Sequence, residues 1–459
     1  MLFNSFEYIV FFLIILVVFW VLRKKANLRV LFLLAASLYF YASNNSWFIL
    51  LIILSTLIDY TAGLQISTSS SPRIKKYWLV GSLFANLSIL AYFKYCNFFI
   101  DSFSAGLAYL GISISPHNMD IFLPVGISFY TFQSMSYTID VYRATIPAER
   151  SLVRFACYIA FFPQLVAGPI VRASELLPQF SRPPQLSTTE MDQALYRIFL
   201  GLTKKIIFAD FLAQFVDGPF THPAGASGFE AWIALFAFTF QIYFDFSGYT
   251  DIAIGSARLL GFQLPENFNA PYVAHSFSDF WRRWHMTLSS WFRDYIYIPL
   301  GGNRHNVYIN LFATLSLCGL WHGAAWTFVL WGAVHGVLLC LERALGWNRR
   351  SGLARQLWMF PLIALSWIPF RAESLPAAQA FLAALLRPTL PPVISLGMVA
   401  SLCLVVGAWI LQLLGERLKI DLWFLELPLP VRGLVFGALW SLIVVFNSSG
   451  ETPFIYFQF

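Results

Sequence analysis

Two histidines carry the strongest signal for chemistry in this sequence. His285 lies in FWRRWHMTLSSWF, and His322 lies 37 residues later in GLWHGAAW. Ionisable side chains in such apolar surroundings are energetically costly, so each is a candidate functional group. A neutral imidazole in an apolar site can act as a general base that takes a proton from a hydroxyl as it attacks an acyl carbonyl. The pair therefore predicts a catalytic site in which an imidazole acts as a general base, although a lone buried histidine is more often a packed core residue.

Several neighbours of His322 can support such a site. Trp321 flanks the imidazole, and Gly319 and Gly323 leave space for a ligand or another helix to approach. His335 lies 13 residues beyond His322. On one unbroken helix that separation is about 20 Å, which is too far for a shared active site unless the helix breaks at the glycines.

The segment around the first histidine is too polar to span a membrane and too aromatic for a solvated loop. Ser276 or Ser278 can cap a helix there, and Asp279 favours its positive end. We expect this helix to lie in the membrane interface, with Arg282 and Arg283 at the headgroups. A purely structural interfacial helix is the alternative. Its apolar face would contain Phe277, Phe280, Trp281, Trp284, Leu288 and Trp291.

The composition places the chain in a lipid bilayer. Apolar residues make up 58% and charged residues 12% of the 459 residues, and soluble domains carry about twice that charged fraction. The net charge of +7 comes from short basic clusters between apolar runs, which act as topology signals and exclude a nucleic-acid partner. The five cysteines are scattered without a C-x-x-C pair, so we expect neither disulfides nor a metal site.

The apolar segments predict an all-α polytopic membrane protein. Crossing the bilayer takes about 20 apolar residues, and we expect about 11 transmembrane helices plus one or two re-entrant or interfacial segments. The candidate segments are 6–22, 30–43, 47–66, 77–93, 121–142, 155–171, 194–216, 228–248, 307–320, 323–341, 357–370, 393–414 and 433–448. Together they predict a single membrane-embedded domain over residues 1–459.

The positions of the basic clusters predict the topology. Charges follow the first apolar segment, which is the reverse of a signal peptide, so that segment is predicted to be a span with its N-terminus outside. Later clusters recur after pairs of spans, which keeps them all on the cytoplasmic face. The last span then directs residues 449–459 outward as a short extracytoplasmic aromatic tail.

Five long motifs are distributed over nearly the whole chain. They are LPVGISFYTFQSMSYTIDVYR (123–143), FFPQLVAGPIVR (161–172), QIYFDFSGYTDIAIG (241–255), FWRRWHMTLSSWFRDYIYIPLGGNR (280–304) and GLWHGAAWTFVLWGAVHG (319–336). The series strongly resembles the membrane-bound O-acyltransferase (MBOAT) family. It is most similar to the bacterial branch that acetylates alginate, peptidoglycan or cellulose, which has a relative that D-alanylates teichoic acid.

The resemblance implies both a fold and a site. The fold is a ring of helices around a thin core, with a central tunnel that connects a cytosolic acyl donor to the opposite face. The donor would be acetyl-CoA or another acyl thioester, used as a substrate with no bound cofactor, and the location is the bacterial inner membrane. The family's essential histidine corresponds to His322, and its second position, a His or Asn, corresponds to His285.

The motif that contains Asp245, Tyr249 and Asp251 is shared by this branch, with roles that the resemblance leaves open. We expect the two aspartates to pair with Arg282 or Arg293 and so hold the interfacial helix in place. Direct participation in catalysis is the alternative.

The sequence ends in PFIYFQF, with Tyr456 fourth from the end. This ending resembles the aromatic tail on the small partner peptide of the D-alanylation system, where a tyrosine is proposed to carry the acyl group. Tyr456 is thus a candidate acyl relay, and an aromatic anchor at the membrane interface is the alternative. The sequence shows no soluble domain with a serine nucleophile, so we expect a periplasmic acetyltransferase partner and polysaccharide machinery to complete the transfer; direct transfer to the glycan is the other possibility.

Three hypotheses follow for the function. The first is transfer of acetyl groups across the membrane for O-acetylation of an exported polysaccharide. The second is D-alanyl transfer to teichoic acid on the same fold. The third is a transporter in which the histidines relay protons; transporters usually show repeated halves, and this sequence shows no such symmetry.

Overall fold

Every region that the structure describes is helical or irregular, which confirms the all-α class for that part of the chain. The computed structural model describes residues 1–43, 45–112, 114–115, 118–166, 168–347, 351–418, 426–447 and 454–455. These residues form two compact units, residues 1–194 with 253–265 and residues 195–252 with 266–459.

Six helices in the described residues are long and apolar enough to cross a membrane, which confirms a multi-pass membrane protein. They are Ser46–Thr68, Pro72–Tyr109, Gly228–Leu259, Trp326–Ala344, Leu396–Gly415 and Leu429–Phe446. Shorter apolar helices are Phe6–Val21, Ala26–Ala42, Val307–His322 and Leu375–Leu385. The total of about 11 transmembrane helices stays a prediction.

The remaining helices are short, and some of them are π-helical or 3-10 turns. In the first unit they are Ile127–Tyr142, Leu152–Ala160, Phe162–Leu165 and Ala173–Ser181. Thr188–Leu202 continues through a π-helical stretch, Thr203–Ala209, into Asp210–Ala213. The others in the second unit are Asp217–Thr221, Pro271–Val273, Phe277–Trp281, Met286–Phe292, Arg293–Tyr297, Leu353–Ser366 and Ile368–Arg371.

The predicted span over 155–171 is wrong as a single helix. Helix Leu152–Ala160 ends before Phe161, and the next helix covers only Phe162–Leu165. Pro163 lies in the first turn of that second helix. Because proline has no N–H to donate, it cannot continue the hydrogen bonds of the preceding helix.

The predicted interfacial helix begins where expected and then breaks. Ser276 is its N-cap, and the hydroxyl oxygen accepts the Asp279 N–H at 3.0 Å. Helix Phe277–Trp281 is followed by a turn, after which Met286–Phe292 forms a second helix. His285 lies between them with φ 41°, a left-handed conformation that a right-handed helix cannot contain. A single continuous apolar face over this segment is therefore wrong.

A buried carboxylate holds the start of the first of these short helices. Glu342, on helix Trp326–Ala344, accepts the backbone N–H of Phe277 at 2.6 Å and that of Ser278 at 3.2 Å. The first N–H groups of a helix have no acceptor within the helix itself. Glu342 supplies one from a membrane-spanning helix and so joins the two elements.

Helices Val307–His322 and Trp326–Ala344 form the histidine hairpin. The chain is extended at Gly323 (φ −156°, ψ 149°) and again at Ala325, so the first helix ends at His322. The two helices then pack against each other where Gly319 meets Gly332. A Cβ on Gly319 would lie 2.9 Å from the Cα of Gly332, closer than real side chains approach. Only two glycines allow this spacing.

A polar network lies inside the first unit. Asp59 is completely buried and accepts hydrogen bonds from Asn86 at 2.9 and 3.1 Å and from Thr138 at 2.9 Å. The hydroxyl of Ser82 also donates to it. Buried carboxylates need such donors to offset the loss of water, so this group ties three helices together.

The glycine contact in the histidine hairpin generates a stability prediction. Gly319→Ala places a methyl group against the opposite backbone, and we expect a loss of about 1–3 kcal/mol because overpacking forces the helices apart. Gly407→Ala is the matched control, since a Cβ there meets nothing within 4 Å. That variant should be neutral or gain up to about 1 kcal/mol. Thermal unfolding in detergent measures both; equal midpoints would contradict the packing described here.

Candidate functional site

His322 is the last residue of its helix and is packed among aromatic rings. Its side chain is buried, with the residue 3% exposed. The ring centroid lies 5.1 Å from that of Trp331 and 5.4 Å from that of Phe370, both edge-on. The helix end thus presents an imidazole to an apolar interior.

His335 belongs to the same aromatic cluster, because the histidine hairpin reverses the chain between the two histidines. Trp331 contacts both imidazoles, at 5.1 Å from His322 and 4.8 Å from His335. The unbroken helix that would separate them by about 20 Å does not form. The indole N–H of Trp281 donates to Nδ1 of His335 at 3.3 Å. A neutral His335 therefore carries its proton on Nε2, where it is a donor and not a base.

His285 is oriented by Asn267, a residue that none of the sequence motifs singled out. The side-chain oxygen of Asn267 accepts the Thr287 hydroxyl at 2.9 Å and lies 3.1 Å from Nδ1 of His285. It also accepts the backbone N–H of Thr287 at 3.3 Å, which identifies that atom as the amide oxygen. Nδ1 must then be the donor, so the imidazole keeps its lone pair on Nε2 and can accept a proton there.

The pattern around Asn267 offered one signal that could have found it. It lies in a run, PENFNAPY, whose polar residues are unusual next to so many aromatic ones. What no pattern shows is that the backbone carbonyl of Asn267 also accepts the Met286 N–H at 2.9 Å. Asn267 therefore contacts both the His285 side chain and the backbone at the start of the helix that follows it.

Burial determines the protonation state of His285. The residue is fully buried and lies outside the six candidate spans. Burial lowers its pKa from 6.5 to about 3, since an imidazolium loses its hydration there. His285 is therefore neutral at physiological pH, as a general base or hydrogen-bond acceptor must be.

Trp321 links the two predicted catalytic histidines. Its ring lies 6.2 Å from that of His285 and 5.0 Å from that of His322, the next residue in the chain. The structure thus brings together His285, Trp321, His322 and, through Trp331, His335. Within the described residues this series of alternating imidazole and indole rings is the candidate active site.

The expected partners of Asp245 and Asp251 are wrong. Asp251 pairs with Arg197 at 3.0 Å and with Lys204 at 2.6 Å, and Asp245 pairs with Lys205 at 2.9 Å. The physical reason is the close approach of the helices that carry them. A Cβ on Gly201 would lie 2.5 Å from the carbonyl oxygen of Gly248.

The two arginines that were expected to bind these aspartates have local partners instead. Arg282 lies 3.7 Å from Asp279, and Arg293 lies 2.8 Å from Asp294. Both arginine side chains are more than half exposed. Short-range pairs of this kind form without any tertiary contact, so these arginines are not drawn to the buried carboxylates.

Phe454, close to the C-terminus, packs next to this region. The ring of Phe454 lies 4.5 Å from Tyr249 and 5.5 Å from Phe246. Phe246 in turn lies 4.7 Å from His285. Tyr456 itself lies outside the described residues.

Comparison with known proteins identifies the group to which these features belong. The family described as MBOAT, membrane-bound O-acyltransferase family, matches residues 45–364. That range contains His285, His322 and His335. The chain belongs to this family.

The names of three relatives of this MBOAT protein refer to alginate, peptidoglycan and teichoic acid. It is 44% identical to the probable alginate O-acetylase AlgI of Pseudomonas aeruginosa over 332 residues, 70% of this chain and 63% of that protein. It is 37% identical to the peptidoglycan O-acetyltransferase of Helicobacter pylori over 359 residues, 71% and 67% of the two chains. The teichoic acid D-alanyltransferase of Bacillus subtilis is 31% identical over 255 residues, 51% of this chain and 62% of that protein. The matches therefore span about two thirds of these relatives.

The neutral state of His285 generates a pH prediction. Between its folded pKa of about 3 and its unfolded value near 6.5, only the unfolded chain binds a proton at this imidazole. Stability contributed by the neutral group is present above pH 6.5 and is lost as the pH falls, by on the order of 1 kcal/mol per pH unit. We expect His285→Asn to flatten this dependence, because asparagine tolerates the left-handed backbone.

Thermal unfolding in detergent between pH 6.5 and pH 4.5 measures the effect. The exposed His305 provides the control, and His305→Asn should follow the wild-type curve. Parallel curves for wild type and His285→Asn would show that the folded protein protonates His285 as readily as the unfolded chain does.

Proposed function

We propose that this MBOAT protein transfers acetyl groups from a cytosolic acyl thioester, acetyl-CoA in the simplest case, across the bacterial inner membrane. The acetyl groups serve the O-acetylation of an exported polysaccharide of the alginate, peptidoglycan or cellulose type. The observation that carries the proposal is the buried pair His285 and His322 on either side of Trp321. The names of the relatives support this class of acceptor.

In the proposed reaction His322 is the general base. It takes the proton from an acceptor hydroxyl as the hydroxyl oxygen bonds to the carbonyl carbon of the thioester. The carbon–sulfur bond then breaks, and the departing thiolate receives the proton from the imidazolium, which regenerates neutral His322. One ester and one free thiol result from one thioester and one hydroxyl.

His285 is proposed to hold the acceptor hydroxyl. Its Nδ1 is committed to Asn267 at 3.1 Å, so Nε2 can accept a hydrogen bond from the acceptor. Orientation of this kind lowers the barrier by keeping the reacting atoms in place. The surrounding indoles exclude water, which would otherwise hydrolyse the thioester. Asp245, Tyr249, Asp251 and Arg282 are supporting residues outside the reacting atoms.

The first acceptor is proposed to be the phenol of Tyr456. Support comes from the preceding residues, since Phe454 and Ile455 are buried in the unit that contains both histidines. The acetyl ester on Tyr456 would then be attacked by a hydroxyl of a periplasmic acetyltransferase partner, which passes the group to the polysaccharide. Direct attack by a glycan hydroxyl on the thioester is the competing route.

Removal of the base should abolish transfer. In proteoliposomes with acetyl-labelled acetyl-CoA, we expect His322→Ala to lower label incorporation by about 10²–10⁴-fold, the usual contribution of a general base. The control is His305→Ala, a change at an exposed histidine that should leave incorporation at the wild-type level. Solute flux without any covalent label would instead support the transporter hypothesis, and label from D-alanyl donors alone would support D-alanyl transfer.

Removal of one oxygen atom tests the relay. We expect mass spectrometry of the C-terminal peptide to find an acetyl group in the wild type and none in Tyr456→Phe, because phenylalanine lacks the phenol oxygen to which the acetyl group would be bound. Tyr308→Phe, at an exposed tyrosine, should keep the acetyl group. A Tyr456→Phe protein that acetylates the acceptor at the wild-type rate would establish the direct route.

A further inference from the structure

We propose that Asp245 is a positioning residue whose carboxylate binds Phe454–Ile455, the described part of the C-terminal tail, beside the histidine site. The inference deepens the proposed function and rests on it only for the chemical fate of Tyr456. The docking itself is a property of Asp245, Lys205, Phe246, Phe454 and Ile455, whatever reaction follows.

The contact is a hydrogen bond from the main chain to a buried charge. The backbone N–H of Ile455 donates to Oδ2 of Asp245 at 2.6 Å. Asp245 is 2% exposed and Ile455 is 5% exposed. A hydrogen bond to an ionised acceptor is shorter and about twice as strong as one between neutral groups. It therefore fixes the position of the backbone just before Tyr456.

Asp245 divides its two oxygens between a cation and the tail. Oδ1 lies 2.9 Å from Nζ of Lys205, which also lies 2.8 Å from Asp210. Lys205 supplies the opposite charge that a buried carboxylate requires. Oδ2 then remains available for the N–H of Ile455.

Asp251, a second carboxylate on the same helix, binds its partners differently from Asp245. Asp251 uses one oxygen for Arg197 at 3.0 Å and the other for Lys204 at 2.6 Å. Two cations thus occupy both oxygens of Asp251, whereas Asp245 leaves one for the tail. An ion pair that only held helices together would not need this difference.

An aromatic side chain adds selectivity to the backbone contact. Phe454 is fully buried and packs on Tyr249 at 4.5 Å and on Phe246 at 5.5 Å. Phe246 also contacts His285 at 4.7 Å. A single phenylalanine ring therefore touches both the docked tail and a predicted catalytic histidine, which places the docked segment at the edge of the candidate active site.

Hydrogen–deuterium exchange of the full-length protein in nanodiscs tests the docking without any acyl chemistry. We expect the amide of Ile455 to be protected in the wild type and to exchange roughly tenfold faster in Asp245→Asn, since the acceptor loses its charge. Asp251→Asn is the matched control: it neutralises a neighbouring buried carboxylate and should leave exchange at Ile455 unchanged. Equal exchange in the wild type and Asp245→Asn would overturn the proposal.

A variant confined to the tail covers the case in which Asp245→Asn disturbs folding. Phe454→Ala removes the ring that packs on Tyr249 and Phe246, and we expect it to raise exchange at Ile455 by roughly tenfold as well. Unchanged exchange in this variant would likewise overturn the docking.

The two proposals can fail separately. Wild-type acetylation by Tyr456→Phe, together with a protected Ile455 amide, would end the relay and support the docking. Exchange of Ile455 at the rate of a free peptide would end the docking even if Tyr456 carries an acetyl group.

Discussion

Gly319 and Gly332 let the two helices of the histidine hairpin meet backbone to backbone, and the geometry of the candidate active site depends on that contact. Because the helices lie so close, residues on one of them can pack directly against residues at the end of the other. Trp331 consequently lies between His322 and His335. A side chain at either glycine would separate the helices, and the indole and imidazole rings that they carry would move apart. Two residues with no functional group thus determine where the functional groups lie.

A second constraint is the charge buried in helix Gly228–Leu259. Two buried carboxylates need cations nearby, and the chain supplies Arg197, Lys204 and Lys205 from the helix that crosses at Gly248. Ion pairs in a low-dielectric interior tolerate little displacement, since separation leaves both charges without water. The ion pairs therefore favour one register of this helix crossing. They also fix the position of the Asp245 carboxylate, and so the position of any segment that binds it.

Local sequence patterns predicted much of this structure. The contacts between segments that are distant in sequence could not be predicted from such patterns. The Ser276 cap and the apolar helices follow from residue type and period, and both are confirmed. The importance of His322 and His285 followed from two ionisable rings in apolar segments, a role that stays a prediction. The break after His322 was only a conditional expectation, because it requires the hairpin contact as well as a flexible residue. Three features depend on chain segments that are distant in sequence. They are the partners of Asp245, the role of Asn267 and the left-handed backbone conformation of His285.

The left-handed backbone of His285 has a consequence for how this position can vary. At φ 41° a β-branched side chain is strongly disfavoured, whereas glycine, asparagine, aspartate and histidine are tolerated. Of these four, a neutral side chain with both a hydrogen-bond donor and an acceptor exists only in histidine and asparagine. The backbone therefore restricts the position to a very small set of amino acids before any reaction is considered. The backbone conformation limits which amino acids residue 285 can be, and the required hydrogen-bonding groups limit the choice further.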